Sequence, residues 1–215
     1  MGEKAKNASL NLSNLSINKR NSVLKQFSHY LKINEQLILN ENKKDIVNAK
    51  SKKIKGSMID RLELNSKKIT QIRSAIKKII KFKDPVGKTL SFWKRPNGLI
   101  IKKVSIPIGI IGVIYESRPN VTSDVSALCF KSGNVVILRG GSEAFHSNKI
   151  LAKLFKRALK KKKCDENCVQ FVESKDRHHV DYLLSRMKNY IDLIIPRGGK
   201  GLVKKVLKKS SVSII

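Results

Sequence analysis

The stretch from Ile106 to Thr122 has the sequence IPIGIIGVIYESRPNVT, and it sets the fold class. Its apolar run Ile110–Tyr115 has proline and glycine before it and a polar loop after it, which is typical of a buried β-strand. A short helix is predicted to follow at Ser123–Lys131 and to end at Gly133. A buried strand that leads through a polar loop into a helix is the repeating unit of a parallel α/β sheet.

The same unit recurs downstream of this stretch. Further strands are predicted at Val135–Leu138, Val169–Val172 and Leu193–Ile195. Helices are predicted at Ser142–Lys161, at Asp176–Met187 with Asp176 as its cap, and at Gly199–Lys209. Because parallel strands need crossover connections, this alternation predicts an α/β fold with a Rossmann-like parallel sheet.

Upstream of the stretch the apolar residues recur at helical spacing. The stripe of the first helix begins at Val23, and Ser16 or Asn18 is predicted to cap it. A second helix is predicted to begin near Asn40 and to carry the apolar residues Ile46, Val47 and Ala49. The third has the clearest stripe, and its predicted limits are Asn65 or Ser66 at the start and Asp84-Pro85 at the end.

A β-hairpin is predicted between these helices and the sheet. Asn97-Gly98 separates two strand-like runs, and this dipeptide favours a tight turn because both residues tolerate positive φ. The chain therefore divides into three parts. These are a helical lead-in at 1–87 that packs on the α/β domain, a protruding hairpin at 88–107, and the α/β domain at 108–215.

Charge is the strongest feature of the composition. Among 215 residues, 46 Lys and Arg stand against 16 Asp and Glu, which gives a net charge of +30. A nucleic-acid partner is one interpretation. The lysines are spread over all the predicted helices, however, and few aromatic residues lie among them, which favours a solvated surface over a nucleic-acid site. No apolar run is long enough to span a membrane and no signal peptide is present, so a cytoplasmic location is expected.

The three cysteines show no functional pattern. Cys164 and Cys168 have no suitably placed His or Cys neighbours to complete a metal site, so no metal is predicted. Cys129 falls on the apolar face of a predicted helix, where packing is its expected role. An odd number of cysteines in a chain without a signal peptide indicates free thiols.

Two loops that follow predicted strands have the composition of phosphate-binding turns. Each contains Arg-Gly-Gly; the glycines let a ligand approach the backbone, and the next helix offers free N–H groups. The residues are Arg139, Gly140, Gly141, Ser142 and Glu143 in the first loop, and Arg197, Gly198, Gly199 and Lys200 in the second. Neither loop matches G-x-G-x-x-G or the P-loop pattern, so tight turns without a ligand remain the alternative.

A third loop, Glu116–Thr122, carries Arg118 and Asn120. An asparagine amide can donate a hydrogen bond to a developing oxyanion, which would make Asn120 a catalytic residue. Arg118 would then line the same substrate crevice. The alternative is that Asn120 caps the helix predicted to begin near Ser123.

The motifs in these loops resemble those of the gamma-glutamyl phosphate reductases, a family of the aldehyde dehydrogenase superfamily. The resemblance rests on the segment 106–122, on ILRGGSEA at 137–144 and on DLIIPRGGK at 192–200. Shorter matches are Asp60-Arg61-Leu62, Asp84-Pro85-Val86-Gly87 and Arg95-Pro96-Asn97-Gly98-Leu99. The resemblance covers nearly the whole chain, and it implies that residues 108–215 form an NADP-binding domain of the aldehyde dehydrogenase type.

This resemblance implies an oxidoreductase of proline biosynthesis, which uses NADPH to reduce L-glutamyl 5-phosphate to L-glutamate 5-semialdehyde. It places Arg139–Glu143 beside the ribose and 2′-phosphate of NADPH, with Ser142 where NAD-preferring relatives have an acidic residue. It places Arg197–Gly201 by the diphosphate, and Asn120 matches the oxyanion-hole asparagine. The implied partners are glutamate 5-kinase or a separate C-terminal fragment, and members of the family are homo-oligomers.

The family's catalytic cysteine lies in a domain downstream of the second Arg-Gly-Gly motif, beyond Ile215. None of Cys129, Cys164 and Cys168 matches its position. Because the reaction needs a thiolate nucleophile, we expect residues 1–215 to be incomplete and inactive by themselves. The alternative is a non-catalytic basic module that keeps the fold and binds nucleotides or nucleic acid.

Overall fold

The computed structural model describes residues 1–54, 56–176 and 178–215. Within these ranges the helices are α1 (Gly2–Ser13), α2 (Ile17–Ile33), α3 (Glu35–Ser51), α4 (Gly56–Leu62), α5 (Ser66–Lys81), α6 (Pro119–Lys131), α7 (Phe145–Lys161), α8 (His178–Ser185) and α9 (Lys200–Lys209). The strands are β1 (Thr89–Lys94), β2 (Ile100–Val104), β3 (Ile110–Tyr115), β4 (Val135–Gly140), β5 (Val169–Phe171) and β6 (Leu193–Arg197). Short 3-10 helices at Ser142–Ala144 and Glu166–Cys168 precede α7 and β5.

The four later strands form one parallel sheet in the order β5-β4-β3-β6. Strands β3 and β4 are buried along their whole length, as expected for a sheet covered on both faces. Strand β6 returns to the far side of β3, so β3 lies between β4 and β6. The predicted α/β fold with a parallel sheet is confirmed.

The two faces of the sheet carry different helices. Tyr115 points to the face covered by α6 and α7, where its hydroxyl lies 2.6 Å from Thr122 Oγ1, which donates to Asn148 Oδ1 at 2.8 Å. Adjacent residues of a strand point to opposite faces, so Ile114 points to the other face. There it shares a cavity with Val180 of α8 and Leu202 of α9. Helices therefore cover both faces, as expected for a parallel sheet.

The N-terminal helices pack against α6 and α7 and extend the same core. Phe27 of α2 contacts Phe155 of α7, with their ring centroids 4.7 Å apart. Asp45 of α3 is buried, and its carboxylate accepts the backbone N–H groups of His146 and Ser147 at 3.1 and 2.8 Å. This carboxylate therefore caps the start of α7 from a helix 100 residues away in the chain.

The predicted N-cap residues are confirmed for two helices, whereas the prediction for α3 is partly wrong. Ser16 caps α2 and Asn65 caps α5, as predicted. In α3 the predicted Ala49 is buried, but the prediction is wrong at two points: the helix begins at Glu35, and Val47 is 57% exposed. Polar Asn42 and Asp45 are buried instead, because they bond to the loop after α4 and to the start of α7.

Helices α1 and α4 lack a periodicity that would predict them. Helix α1 buries Gly2, Ala5, Ala8 and Leu12, and only the last of these is a large apolar side chain. The helix predicted from Asp176 begins at His178, whose N–H is accepted by the Asp176 carboxylate at 2.9 Å, and Arg177 lies outside the described residues. In the described parts of the chain, no helix is both long and apolar enough to cross a membrane.

The predicted hairpin is present and projects from the rest of the chain. Strands β1 and β2 pair in antiparallel fashion, and all of their residues are exposed or half-buried. Gly98 has φ +84°, a value that favours glycine, and its N–H bonds to Arg95 O at 2.9 Å. The division of the chain at 87 and 107 remains a prediction.

Candidate functional site

The three loops singled out in the sequence lie at one edge of the sheet. Tyr115, the last residue of β3, is in register with Gly140 of β4 on one side and with Arg197 of β6 on the other. Because all three strands are parallel, their carboxyl ends open at the same level. Ligands of parallel α/β sheets bind at this edge, near the helix N-termini.

The two Arg-Gly-Gly motifs differ by one residue in register. Arg139 is paired with Ile114, whereas Arg197 is paired with Tyr115. A shift of one residue turns a side chain to the opposite face of the sheet. The Arg139 side chain therefore lies on the face of α8 and α9, and that of Arg197 lies on the face of α6. The two motifs are similar in sequence but serve different sides of the site.

A cavity of about 360 Å³ opens on the face of α8 and α9. It is lined by the first Arg-Gly-Gly loop and by the start of α9. The residues that could contact a bound anion there are Arg139, Gly141, Ser142, Lys175, Gly201 and Lys205. Lys175 comes from the loop after β5, and Lys205 comes from α9. These two lysines were not predicted, because the cavity becomes visible only when separate elements are packed together.

Arg139 is 5% exposed, although it was predicted as a phosphate ligand. Its guanidinium donates to the carbonyl oxygen of Gly140 and, at 3.3 and 3.1 Å, to those of Lys175 and Asp176. The side chain thus ties the end of β4 to the loop after β5. Its positive charge lies at the wall of the cavity, and it holds Lys175 beside that wall.

Two carboxylates lie among the N–H groups of this edge. Glu116 Oε2 accepts the Gly199 N–H at 2.9 Å, at the start of α9. Glu143 Oε2 accepts the Ser117 hydroxyl at 3.2 Å, and its Oε1 accepts the Ser142 hydroxyl at the same distance. A helix N-terminus favours a negative charge, so Glu116 stabilises the start of α9. A bound phosphate would have to share these donors with the carboxylates or displace the carboxylates from them.

The glycines in and next to the two motifs differ in how much space a side chain would have. A Cβ at Gly140 would overlap Asn148 and the ring of Tyr115, so packing alone excludes a side chain there. A Cβ at Gly198 would lie 2.6 Å from the Glu116 carboxyl carbon. Gly199 has more room, with its nearest neighbours at 3.7 Å, and a Cβ at Gly201 would meet nothing within 4 Å. Gly199 and Gly201 therefore leave open space beside the backbone.

Asn120 lies in the first turn of α6. The helix begins at Pro119 with Arg118 at the N-cap, so the alternative in which Asn120 caps the helix is wrong. Proline at the first helical position fixes this start, because it has no N–H to leave unpaired. Asn120 Nδ2 donates to Asp124 Oδ2 at 3.0 Å, one turn further along the helix. Burial raises the pKa of the Asp124 carboxyl, while its hydrogen bond to Asn120 and the charge of Arg197 act in the opposite direction.

Arg118 lines two clefts on the face of α6. One, of about 380 Å³, extends toward Arg197 and the Gly198-Gly199 turn. The other, of about 450 Å³, extends along α5 and contains Asn120 and Asp124. Arg61 of α4 lines both clefts as well. The predicted pair Arg118 and Asn120 is therefore brought together, and the structure adds Arg61 and Asp124 to it.

The three cysteines lie away from this edge or are buried. Burial raises the pKa of Cys129 and of Cys168 to about 12, which keeps both thiols protonated at neutral pH. Burial also raises the pKa of Cys164, while the charge of Lys19 lowers it in part. Among the described residues, no group of His, Cys, Asp and Glu side chains is arranged to hold a metal ion.

No family model matches the chain. The gamma-glutamyl phosphate reductase of Carboxydothermus hydrogenoformans is 44% identical over 215 residues, which are 100% of this chain and 52% of that relative. The one from Caldicellulosiruptor saccharolyticus is 47% identical over 213 residues, 99% of this chain and 51% of that relative. The chain thus spans about half the length of the curated relatives it matches.

Solved structures agree with these relatives. The crystal structure of the gamma-glutamyl phosphate reductase from Thermotoga maritima has a TM-score of 0.96 and 39% identity, over 99% of this chain and 51% of the other. A propionaldehyde dehydrogenase from Clostridium phytofermentans has a TM-score of 0.73 at 16% identity, over 99% of this chain and 45% of the other. This second likeness shows a shared fold.

Proposed function

Because the chain is a homologue of the N-terminal half of gamma-glutamyl phosphate reductases, we propose that it binds NADPH and takes part in the reduction of L-glutamyl 5-phosphate to L-glutamate 5-semialdehyde. In this reaction NADPH supplies a hydride. The observation that carries the proposal is the cavity of about 360 Å³ between β3, β4, α8 and α9. It lies at the edge of the sheet where the Arg-Gly-Gly loop and the start of α9 meet.

The residues around this cavity fit the charge of the cofactor. Arg139, Lys175 and Lys205 bring three positive charges to its wall against the two carboxylates of Glu116 and Glu143, and the start of α9 adds the positive end of a helix dipole. Open space at Gly201, which lines the cavity, lets a diphosphate approach the backbone. Ser142 itself carries no negative charge, but the Glu143 carboxylate lies 3.2 Å from its hydroxyl and would have to turn away from a bound 2′-phosphate.

We assign binding of the 2′-phosphate to Lys175, and Arg139 holds the loop that carries Lys175. The Arg139 guanidinium is bonded to three backbone carbonyl groups, whereas Lys175 is exposed on the loop that Arg139 holds. The Lys175 ammonium lies 5.1 Å from the centroid of the Phe145 ring, which orients it beside the first Arg-Gly-Gly loop. Arg197 lies on the opposite face of the sheet, so its side chain belongs to the substrate clefts in this proposal.

Titration calorimetry with NADPH and NADH tests the cofactor assignment. We expect Lys175→Gln to weaken NADPH about five- to tenfold and NADH much less, because only NADPH carries the 2′-phosphate. Lys103→Gln on the exposed hairpin removes the same charge far from the cavity and is the matched control. Equal affinities for NADPH and NADH in the parent chain would contradict the assignment.

Asn120 is the proposed oxyanion donor, and Arg118 is proposed to contact the substrate. An amide nitrogen carries two protons; one is bonded to Asp124, and the other can serve a developing oxyanion. For a polypeptide of residues 1–215 by itself we expect no reductase turnover, because a thiolate nucleophile is required and its own thiols are buried or have raised pKa values. An NADP-dependent assay with L-glutamate 5-semialdehyde and phosphate tests this. Turnover that disappears in Cys129, Cys164 or Cys168 variants would contradict it.

A further inference from the structure

The cleft of about 450 Å³ along α5 is lined by both Asn120 and Asp124. Both residues are on α6 and one helical turn apart, a rise of about 6 Å. They therefore mark two successive positions along one wall of the cleft. A ligand whose reacting group lies at Asn120 extends its far end past Asp124.

Asp124 has one carboxylate oxygen that is used and one that is not. Its Oδ2 accepts the Asn120 amide, but its Oδ1 is buried and accepts no hydrogen bond from the residues the structure describes. A buried carboxylate oxygen without a donor is unfavourable by a free energy comparable to a lost hydrogen bond. A cationic ligand with N–H donors would remove this deficit.

The rest of the cleft is lined with positive charge. Arg61, Lys68 and Arg118 all contribute to it. Lys68 Nζ donates to the backbone oxygens of Asp60 and Glu63 at 2.6 and 2.7 Å, which holds the ammonium at the end of α4. The cleft thus offers one buried acceptor for a cation and several donors for an anion, side by side.

We infer that this cleft binds the α-amino-acid end of the substrate, with Asp124 accepting the α-ammonium group and the surrounding Arg61, Lys68 and Arg118 binding the α-carboxylate. The inference rests on the proposed function and deepens it. In L-glutamyl 5-phosphate two methylene groups separate the reacting carbonyl carbon from the α-carbon, a span that matches one turn of α6. Asp124 becomes a specificity residue for amino-acid substrates, and it also positions Asn120.

The phosphate group of the substrate fits this cleft less well. A phosphate at this place would face Asp124 and Glu63, which also lines the cleft, and two carboxylates repel a dianion. The neighbouring cleft of about 380 Å³ contains Arg61, Arg118 and Arg197, and its one carboxylate, Glu116, already accepts the Gly199 N–H. The amino-acid end is therefore assigned to the cleft with Asp124.

NMR titration of the 215-residue chain with L-glutamate and with glutarate tests this inference. Both probes carry two carboxylates, and only L-glutamate has the ammonium group. We expect the parent chain to prefer L-glutamate by about tenfold, the effect of one charge-assisted hydrogen bond. Asp124→Asn keeps the size of the side chain and should abolish the preference. Arg118→Gln should weaken both ligands.

Glu166→Gln is the matched control. It makes the same change in net charge, and Glu166 precedes β5 at the opposite edge of the sheet. This variant should retain the preference. Equal binding of L-glutamate and glutarate to the parent chain, or a preference that persists in Asp124→Asn, would overturn the inference. NADPH binding measured in the same samples separates this outcome from failure of the proposed function, because the cofactor cavity lies on the other face of the sheet.

Discussion

The hairpin β1–β2 and the parallel sheet are both built from apolar runs, yet they differ completely in burial. Phe92 and Ile100 of the hairpin are 69% and 57% exposed, whereas Ile137 of β4 is fully buried. The hairpin is closed by a local turn around Gly98 and needs no other element for its register. The sheet depends on crossover helices on both faces, because its strands pair only with strands distant in the chain.

This difference teaches that an apolar run predicts a strand but does not predict what covers it. It also separates two kinds of sensitivity to substitution. In the sheet, a substitution acts on packing and therefore on the free energy of unfolding of the whole chain. In the hairpin, it acts on local geometry, and the rest of the fold is unaffected.

The sharpest test compares two isoleucines. Ile137→Ala in β4 should lower the free energy of unfolding by about 2–5 kcal/mol, because it leaves a cavity in a fully buried strand. Ile100→Ala in β2 should lower it by less than about 1 kcal/mol, since that side chain is mostly exposed. Urea unfolding measures both values. Similar losses for the two variants would mean that the hairpin is part of the cooperative core.

A second test compares two glycines of the Arg-Gly-Gly motifs. Gly140→Ala should cost about 1–3 kcal/mol of stability, because the new Cβ would overlap Asn148 and Tyr115. Gly199→Ala should cost no more than about 1 kcal/mol, since its Cβ has room and only the preference of the α9 N-cap for glycine is lost. Thermal unfolding checks both variants. The buried part of the sheet and its ligand-binding edge are predicted to respond differently, and equal costs would remove that distinction.

The third test concerns the hairpin turn. Gly98→Ala places a side chain at φ +84° and should cost about 1–2 kcal/mol locally. Amide hydrogen exchange should become faster in β1 and β2 and stay unchanged in β3 and β4. Faster exchange throughout the parallel sheet would show that the two regions unfold together.

The smallest expected effect is at the edge of the sheet. Glu116→Gln removes a negative charge from the start of α9 and keeps an oxygen that can accept the Gly199 N–H. We expect NADPH affinity to rise roughly two- to fivefold, the effect of one charge at a helix N-terminus. Calorimetry against Lys103→Gln, which changes a charge on the hairpin, provides the comparison. A fall in affinity would mean that Glu116 contacts the cofactor favourably.

Local signals in the sequence were sufficient for much of the fold. Ser16 and Asn65 cap the predicted helices, and Asn97-Gly98 lies in the hairpin turn. Pro119 marks the true start of α6, four residues before the predicted start, and its preference for the first helical turn is a signal that was available. The prediction that Val47 is buried was wrong, because Asn42 and Asp45 take the buried side of α3. Both bond to segments distant in the chain, and such bonds leave no periodic pattern in the sequence.

The sequence predicted which loops form the candidate site, but it did not predict the burial and contacts of their side chains. Arg118, Asn120 and both Arg-Gly-Gly motifs stood out by residue type, and all of them lie at one edge of the sheet. The burial of Arg139 and the contributions of Lys175 and Asp124 could not be foreseen. Each depends on contacts or clefts between elements that are far apart in the chain.

The sequence by itself determined the order of strands and helices, the hairpin and the resemblance to gamma-glutamyl phosphate reductases, because each of these depends on neighbouring residues or on contiguous motifs. The tertiary structure alone decided which face each side chain occupies. A one-residue difference in register sends Arg139 and Arg197 to opposite faces, and only strand pairing fixes that register. Pairing is set by the packing of the whole sheet, so two motifs of the same composition acquire different environments.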